Sequence, residues 1–206
     1  MSRLRLRVAS TKSALLGLRK QIRFLSDGHA LLERKRELLT RLVYEHIGSY
    51  RLRRAEAQEA LQEAYHWLSL AQLRMGSRAI RLATLGASSS VDMQVLPRSA
   101  LGVQYPSVEA KALPPMPIGL LGTDPSFDEA RRAFAEASVR LAKLAEVEVT
   151  LYRLISEQRK AQKRVNALKY NIIPGYQEAI RRIADALEEE ERSTLFQVRR
   201  LREARG

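Results

Sequence analysis

Histidines, cysteines and carboxylates are the side chains most able to perform catalysis or hold a metal ion, and this chain groups few of them usefully. The three histidines, His29, His46 and His66, are too far apart in sequence to share one turn of a helix, and cysteine is absent. The four consecutive residues Glu188–Glu191 would spread around a helix instead of converging on a substrate. The sequence also has no glycine-rich phosphate-binding motif and no nucleophile elbow. We therefore predict no catalytic residue, no metal site and no cofactor.

Positive charge is the other chemical feature, and it is concentrated at the two ends of the chain. The net charge is +13, of which residues 1–60 contribute +8 and residues 151–206 contribute +5, while residues 61–150 are neutral. An antiparallel pair of helices would bring both ends together in one basic tip. Such a tip predicts an acidic or polyanionic partner, which a protein cavity, a nucleic acid or a lipid surface would provide.

Two long helices are predicted to position these charges. Six of the seven prolines lie between positions 97 and 125, and no long helix crosses such a region. Apolar residues recur at alternating spacings of three and four from Leu15 to Ala71 and from Phe127 to Ala186, a pattern typical of coiled coils. We predict a mostly α fold: a long antiparallel two-helix coiled coil with a small head. The segments are an N-terminal shaft helix (1–76), a head (77–125) and a C-terminal shaft helix (126–206), with position n opposite position 200−n.

The ends of the helices and the content of the head follow from local signals. Ser10 or Thr11 is the predicted N-cap of the first helix, Gly76 its end, and Ser126 with Glu129 a capping box for the second. In the head we predict a short helix over 77–85 and a β-hairpin with strands at 91–96 and 107–113. The predicted turn contains Pro97, Gly102 and Pro106.

Helix-weakening residues occur at one height in both predicted helices. The register sets Asp27 and Gly28 about level with Pro174 and Gly175, and the neighbouring seam positions are polar. Two interpretations remain open here: a pair of tolerated kinks, or a joint at which the shaft bends or twists.

Two segments resemble a known family. Lys163–Pro174, which reads KRVNALKYNIIP, resembles the RVNALE…IP signature of the D subunit of the V-type and A-type rotary ATPases. Leu25–Leu39, which reads LSDGHALLERKRELL, is similar to the KGHxLLKxKRDxL stretch of the same family. Gly122–Pro125 and Leu195–Arg200 are also family-like, so the resemblance covers nearly the whole chain.

The resemblance implies a non-catalytic central rotor shaft of a V/A-type ATPase, cytoplasmic and peripheral to the membrane. Its partners would be the catalytic A and regulatory B subunits of a hexamer, the rotor F subunit, and the funnel-shaped C (or d) subunit on the membrane ring. It would transmit torque between ATP hydrolysis or synthesis and ion translocation, with no nucleic acid bound and no helix inserted in the membrane. Seven basic residues are predicted to contact the hexamer cavity: Arg34, Lys35, Arg36, Lys163, Arg164, Arg181 and Arg182. The alternatives are a basic coiled coil that binds nucleic acid and the stalk of a secretion ATPase.

Overall fold

The computed structural model describes residues 8–114, 116 and 123–204, and these residues are mostly helical. The elements in chain order are α1 (Lys12–Leu85), β1 (Val91–Ala100), β2 (Val103–Ala112), α2 (Pro125–Ala167), a π-helical turn (Leu168–Ile172) and α3 (Ile173–Glu203). The predicted fold class, an antiparallel helix pair with a small head that carries a β-hairpin, is confirmed. The chain divides into two compact units: unit 1 consists of Met1–Leu38 with Gln158–Gly206, and unit 2 is Leu39–Glu157.

In unit 1 the first part of α1 packs antiparallel against α3. Thr11 caps α1 by accepting the Ala14 N–H on its hydroxyl, as the sequence predicts. The core of the pair joins Leu18 to Ala179 and Ile183. Farther along the chain, Arg36 Nη1 donates to Gln162 Oε1 over 3.2 Å. These partners stay close to the predicted relation of n to 200−n.

In unit 2 the seam between α1 and α2 is built mainly from alanine. Ala60, Ala64 and Ala137 form its buried cluster. Just beside it, the rings of Tyr65 and Phe134 meet edge to face with their centroids 5.5 Å apart. Small seam residues let two helices approach more closely than leucine would allow, because the interaxial distance depends on the side chains at the contact.

Pro174 is accommodated by a wider helical turn. Proline has no N–H to donate to the carbonyl four residues back, and its ring clashes with that carbonyl. Just before it, the Ile173 N–H donates to Leu168 O, five residues back, which closes the π-helical turn between α2 and α3. The apolar spacing alone does not reveal this insertion.

The head contains a break in α1 and a two-stranded hairpin. At Gly76 the backbone leaves the helical region, with φ 78° and ψ 154°, and the helix then resumes up to Leu85. The hairpin turn is Leu101–Gly102, both with positive φ as a type I′ turn requires. The prediction that Pro97 and Pro106 lie in the turn is wrong, because both lie inside the strands and face each other.

Hydrogen-bonded and non-hydrogen-bonded residue pairs alternate along the hairpin, and this alternation explains why the two prolines are tolerated. A two-residue turn is closed by a hydrogen-bonded pair, here Ala100 and Val103, and every second pair after it lacks hydrogen bonds across the ladder. Pro97 and Pro106 form one of these non-hydrogen-bonded pairs, so neither missing N–H removes a bond. The strands therefore run through the prolines and reach ten residues each.

The start of α2 is capped by Asp124, and the prediction of Ser126 as the N-cap is wrong by two positions. The Asp124 carboxylate accepts hydrogen bonds from the Ser126 hydroxyl and from the Ser126 N–H, the latter over 2.8 Å. Pro125 opens the helix at a position where no N–H is needed. The Ser126 hydroxyl, then the Ser126 backbone and Arg74, hold the pKa of Asp124 below its ordinary value.

Candidate partner-binding surface

All seven basic residues predicted to contact a partner lie in unit 1, where they form two bands. The first band lies near the Arg36–Gln162 hydrogen bond. It consists of Arg34, Lys35, Arg36, Lys163 and Arg164. The second band, Arg181 and Arg182, precedes Ile183, whose partner on α1 is Leu18. Leu18 and Arg36 are separated by about 27 Å along α1, since a helix rises about 1.5 Å per residue. The charges are therefore distributed along the helix pair and do not form one compact tip.

The members of the two bands differ in their solvent exposure. Arg34, Lys163, Arg164, Arg181 and Arg182 are exposed. By contrast, Lys35 and Arg36 are half-buried, and Arg36 both donates to Gln162 and lies 3.6 Å from the Glu37 carboxylate. Arg36 thus contributes to the pairing of the helices as well as to the surface charge.

The four residues of the predicted joint lie near the π-helical turn. Asp27 and Gly28 are within the continuous helical part of α1, Pro174 is in the first turn of α3, and Gly175 is buried. Between Leu18 and Leu39, α1 holds no buried residue, and neither does the π-helical turn. This stretch of unit 1 buries little apolar surface, in keeping with its polar seam, and its bending remains a prediction.

The histidines sit in ordinary structural environments. His46 Nδ1 lies 2.9 Å from the Leu42 carbonyl, and the His66 ring lies edge to face beside Trp67. His29 Nδ1 is 3.8 Å from Glu33, while its Nε2 is buried without a hydrogen-bond partner in the described structure. Across residues 8–114, 116 and 123–204, no group of three histidine, aspartate or glutamate side chains is placed to hold a metal ion.

The acidic run Glu188–Glu191, in the middle of α3, neutralises part of the beginning of α1. Lys12 Nζ lies 2.7 Å from the Glu191 carboxylate, close to the predicted register in which position n is opposite position 200−n. The hydrogen bond, and then the opposite charge, raise the pKa of Lys12 and lower the pKa of Glu191. The pair therefore links the start of α1 to α3 at the surface.

Exposed apolar residues are the surface feature that the sequence reading missed. On α3 they follow Glu191: Leu195, Phe196, Val198 and Leu201. A second set, Phe24, Leu31 and Leu38, repeats every seven residues on an exposed part of α1. The second set carried a signal in the sequence, because it is a heptad repeat outside the seam.

The described helices include none that is both long enough and apolar enough to cross a membrane. Unit 1 therefore presents two cationic bands and two exposed apolar sets at its surface.

Comparison with known proteins identifies the family to which these surfaces belong. Residues 14–203 match the family model for the D subunit of ATP synthase. The chain belongs to the family of ATP synthase D subunits. It is similar to the V-type ATP synthase D subunit of Thermotoga neapolitana, with 34% identity over 95% of this chain and 97% of that protein. It is also similar to the A-type ATP synthase D subunits of Thermococcus sibiricus and Pyrococcus furiosus, each 31% identical over 96% of this chain and 94% of the relative.

The match to the D-subunit family includes the cationic bands, the π-helical turn and the exposed apolar residues on α3. The predicted membership of the chain in this family is thereby confirmed.

Proposed function

We propose that the chain is the central rotor shaft of a V/A-type ATP synthase and transmits torque without performing catalysis. Membership of the D-subunit family makes it a component of such a complex. The observation that carries the mechanical role is the interlocked antiparallel helix pair in each unit, centred on Leu18 and Ile183 in unit 1 and on Ala64 and Ala137 in unit 2.

Pairing matters for this role because a single helix in water bends and twists readily. When two helices interlock along a seam, twisting one against the other displaces buried side chains, and protein interiors resist such compression. The seam thus converts two flexible helices into one element that carries torque. The polar stretch between Leu18 and Leu39 would be the more compliant part of unit 1.

The cationic bands would supply the contacts with the stationary part of the motor. We assign their partners to carboxylates that line the cavity of a hexamer of A and B subunits. The small rotor F subunit and the funnel-shaped subunit on the membrane ring would bind elsewhere on the chain, which would itself be peripheral to the membrane. Each exposed ion pair is worth about 0–1 kcal/mol, which suits a shaft that must leave one position and settle in the next.

Charge reversal tests this assignment. The double substitution Arg164→Glu and Arg181→Glu places one negative charge in each band, at exposed positions where folding is little affected. We expect ATP hydrolysis by the reconstituted complex to continue while ion pumping per ATP falls. A matched control reverses two exposed arginines of unit 2, Arg54→Glu and Arg78→Glu. Pumping that is unchanged by the first pair, or reduced equally by both, would contradict the assigned contacts.

Co-purification tests the family-level part of the proposal. A tagged chain should recover A, B and F subunits together with the funnel-shaped subunit, at about three A and three B for each copy of the chain. Recovery of nucleic acid, with affinity that falls steeply with salt and without any ATPase subunit, would instead support the nucleic-acid alternative. Recovery of a secretion ATPase would support the remaining one.

A further inference from the structure

The two edges of the hairpin in unit 2 are not equivalent. Because Ala100 and Val103 form the hydrogen-bonded pair that closes the turn, Leu96 and its even-numbered neighbours bond to β2. The N–H and C=O groups of Met93 and Val95 must then point away from β2, along the outer edge of β1. Any strand at this edge would find them in the pattern of a sheet ladder.

The outer edge of β2 is held against α2, whereas no described residue bonds to the outer edge of β1 between Asp92 and Leu96. Arg153 Nη1 donates to the outward-facing Gln104 carbonyl over 2.8 Å, and Val103 and Ser107 are buried. In β1, by contrast, every residue from Asp92 to Ser99 is exposed. Within the described structure, the backbone groups of Met93 and Val95 make no hydrogen bond.

The middle of β1 presents apolar side chains and has no protecting residue. Met93, Val95 and Leu96 are 48%, 60% and 47% exposed. Proteins usually protect an edge strand with charged side chains, proline or a bulge. Here Pro97 protects the half of β1 nearest the turn and Asp92 places one charge near the other end, but the stretch from Met93 to Leu96 has no charged residue, proline or bulge. An edge left in this state has the chemistry of a docking strand.

We propose that β1, from Asp92 to Leu96, binds an extended segment of another subunit of the ATP synthase complex by strand addition. This inference rests on the proposed function, which makes the chain one member of a multi-subunit assembly. The added strand would exchange backbone hydrogen bonds with Met93 and Val95 and would place apolar side chains beside theirs. Pro97 has no N–H to offer, so the pairing would end there and remain short.

Amide hydrogen exchange resolved to single residues tests the pairing directly. In the isolated chain, the outward amides of Met93 and Val95 should exchange fast, and the β2-bonded amides of Gln94 and Leu96 should exchange slowly. In the assembled complex, the Met93 and Val95 amides should slow by at least about 100-fold, the protection expected when a ladder hydrogen bond forms. Equal exchange of these two amides in the free chain and the complex would overturn the proposal. Because the same sample reports whether the chain has assembled with ATPase subunits, that failure is distinct from failure of the proposed function.

A proline substitution provides the second arm. Val95→Pro removes one outward N–H and no bond to β2, as Pro97 already does in the native hairpin. The control, Ser99→Pro, removes an outward N–H on the other side of Pro97, outside the proposed stretch. We expect Val95→Pro to weaken assembly at least 10-fold relative to Ser99→Pro, while Gln94 and Leu96 stay protected in both. Equal assembly of the two variants would overturn the proposal. A second result would also overturn it: protection of the Met93 amide in the isolated chain that increases with protein concentration as a dimer forms. That result would identify a second copy of the chain as the occupant.

Discussion

Replacing Ile183 by alanine should loosen the seam of unit 1 by an amount that the structure allows us to estimate. Ile183 is 0% exposed and packs against Leu18 and Ala179. Truncation of a buried isoleucine costs about 2–5 kcal/mol, with the larger values where the cavity cannot collapse. A seam between only two helices can close around the missing atoms, which favours the lower end of this range. Alanine also returns about 0.4 kcal/mol through its better helix propensity. We therefore expect a net loss of about 2 kcal/mol.

Urea unfolding of the isolated chain, followed by far-UV circular dichroism, measures this loss, and amide exchange in α3 assigns it to unit 1. The matched control is Leu195→Ala in the same helix, where the side chain is 66% exposed and the expected change is below about 0.5 kcal/mol. Ile183→Val should fall between the two, at about 1 kcal/mol. If Ile183→Ala destabilised the chain no more than Leu195→Ala does, the helices would not be interlocked at this level and the seam would not carry torque.

Three further predictions address unit 2 and the head. Ala64→Leu should force α1 and α2 apart and cost about 1–3 kcal/mol in thermal unfolding, whereas Ala55→Leu on an exposed position should be nearly neutral. Because the folded pKa of Asp124 is lowered, its stabilising contribution is full above its unfolded pKa near 3.8 and is lost as pH falls through the lower folded value. Acid unfolding of wild type and Asp124→Ala should therefore converge at low pH, and parallel curves would refute this role. Leu101→Asn should relieve the positive φ of the turn and slow exchange of hairpin amides by a factor of about 2–5, equivalent to about 0.5–1 kcal/mol.

The helix pair could be predicted from sequence because its signal is repeated many times. Each seam position contributes little, but apolar residues at regular spacing from Leu15 to Ala71 leave few other ways to bury them. Pairing two such segments across a proline-rich stretch then fixes the register. Contacts as far apart as Lys12–Glu191 and Arg36–Gln162 confirm it within unit 1.

Features decided by one or two backbone groups could not be predicted in this way. Asp124 and Ser126 are both good caps, and only the observed hydrogen bonds select Asp124. Pro97 and Pro106 look like turn residues until the ladder is known, since proline is tolerated only at alternate positions of a strand. Pro174 predicts a weakened helix, but the sequence does not show whether the helix accommodates the missing N–H by a kink or by a π-helical turn.

The seven predicted cations all lie in unit 1. The prediction from sequence treated them as a single tip, because it considered their positions along the chain and not their heights along the helix axis. The register separates Arg164 from Arg181 by several helical turns, so one small acidic site cannot contact both bands. An elongated cavity with carboxylates at two depths can do so.

The apolar residues at the end of α3 bear on the choice between a protein partner and nucleic acid. The affinity of a protein for nucleic acid comes mainly from contacts between cations and phosphates and from the release of counterions. Exposed aliphatic side chains add little to such binding. Here Leu195, Val198 and Leu201 are exposed on the same short stretch as Arg199 and Arg200. Leaving such residues uncovered is unfavourable for a free surface, and an apolar socket with an acidic rim would satisfy both kinds of side chain. A protein cavity has this combination and a phosphate backbone does not, which favours the rotor assignment over the nucleic-acid alternative on physical grounds that are independent of family membership.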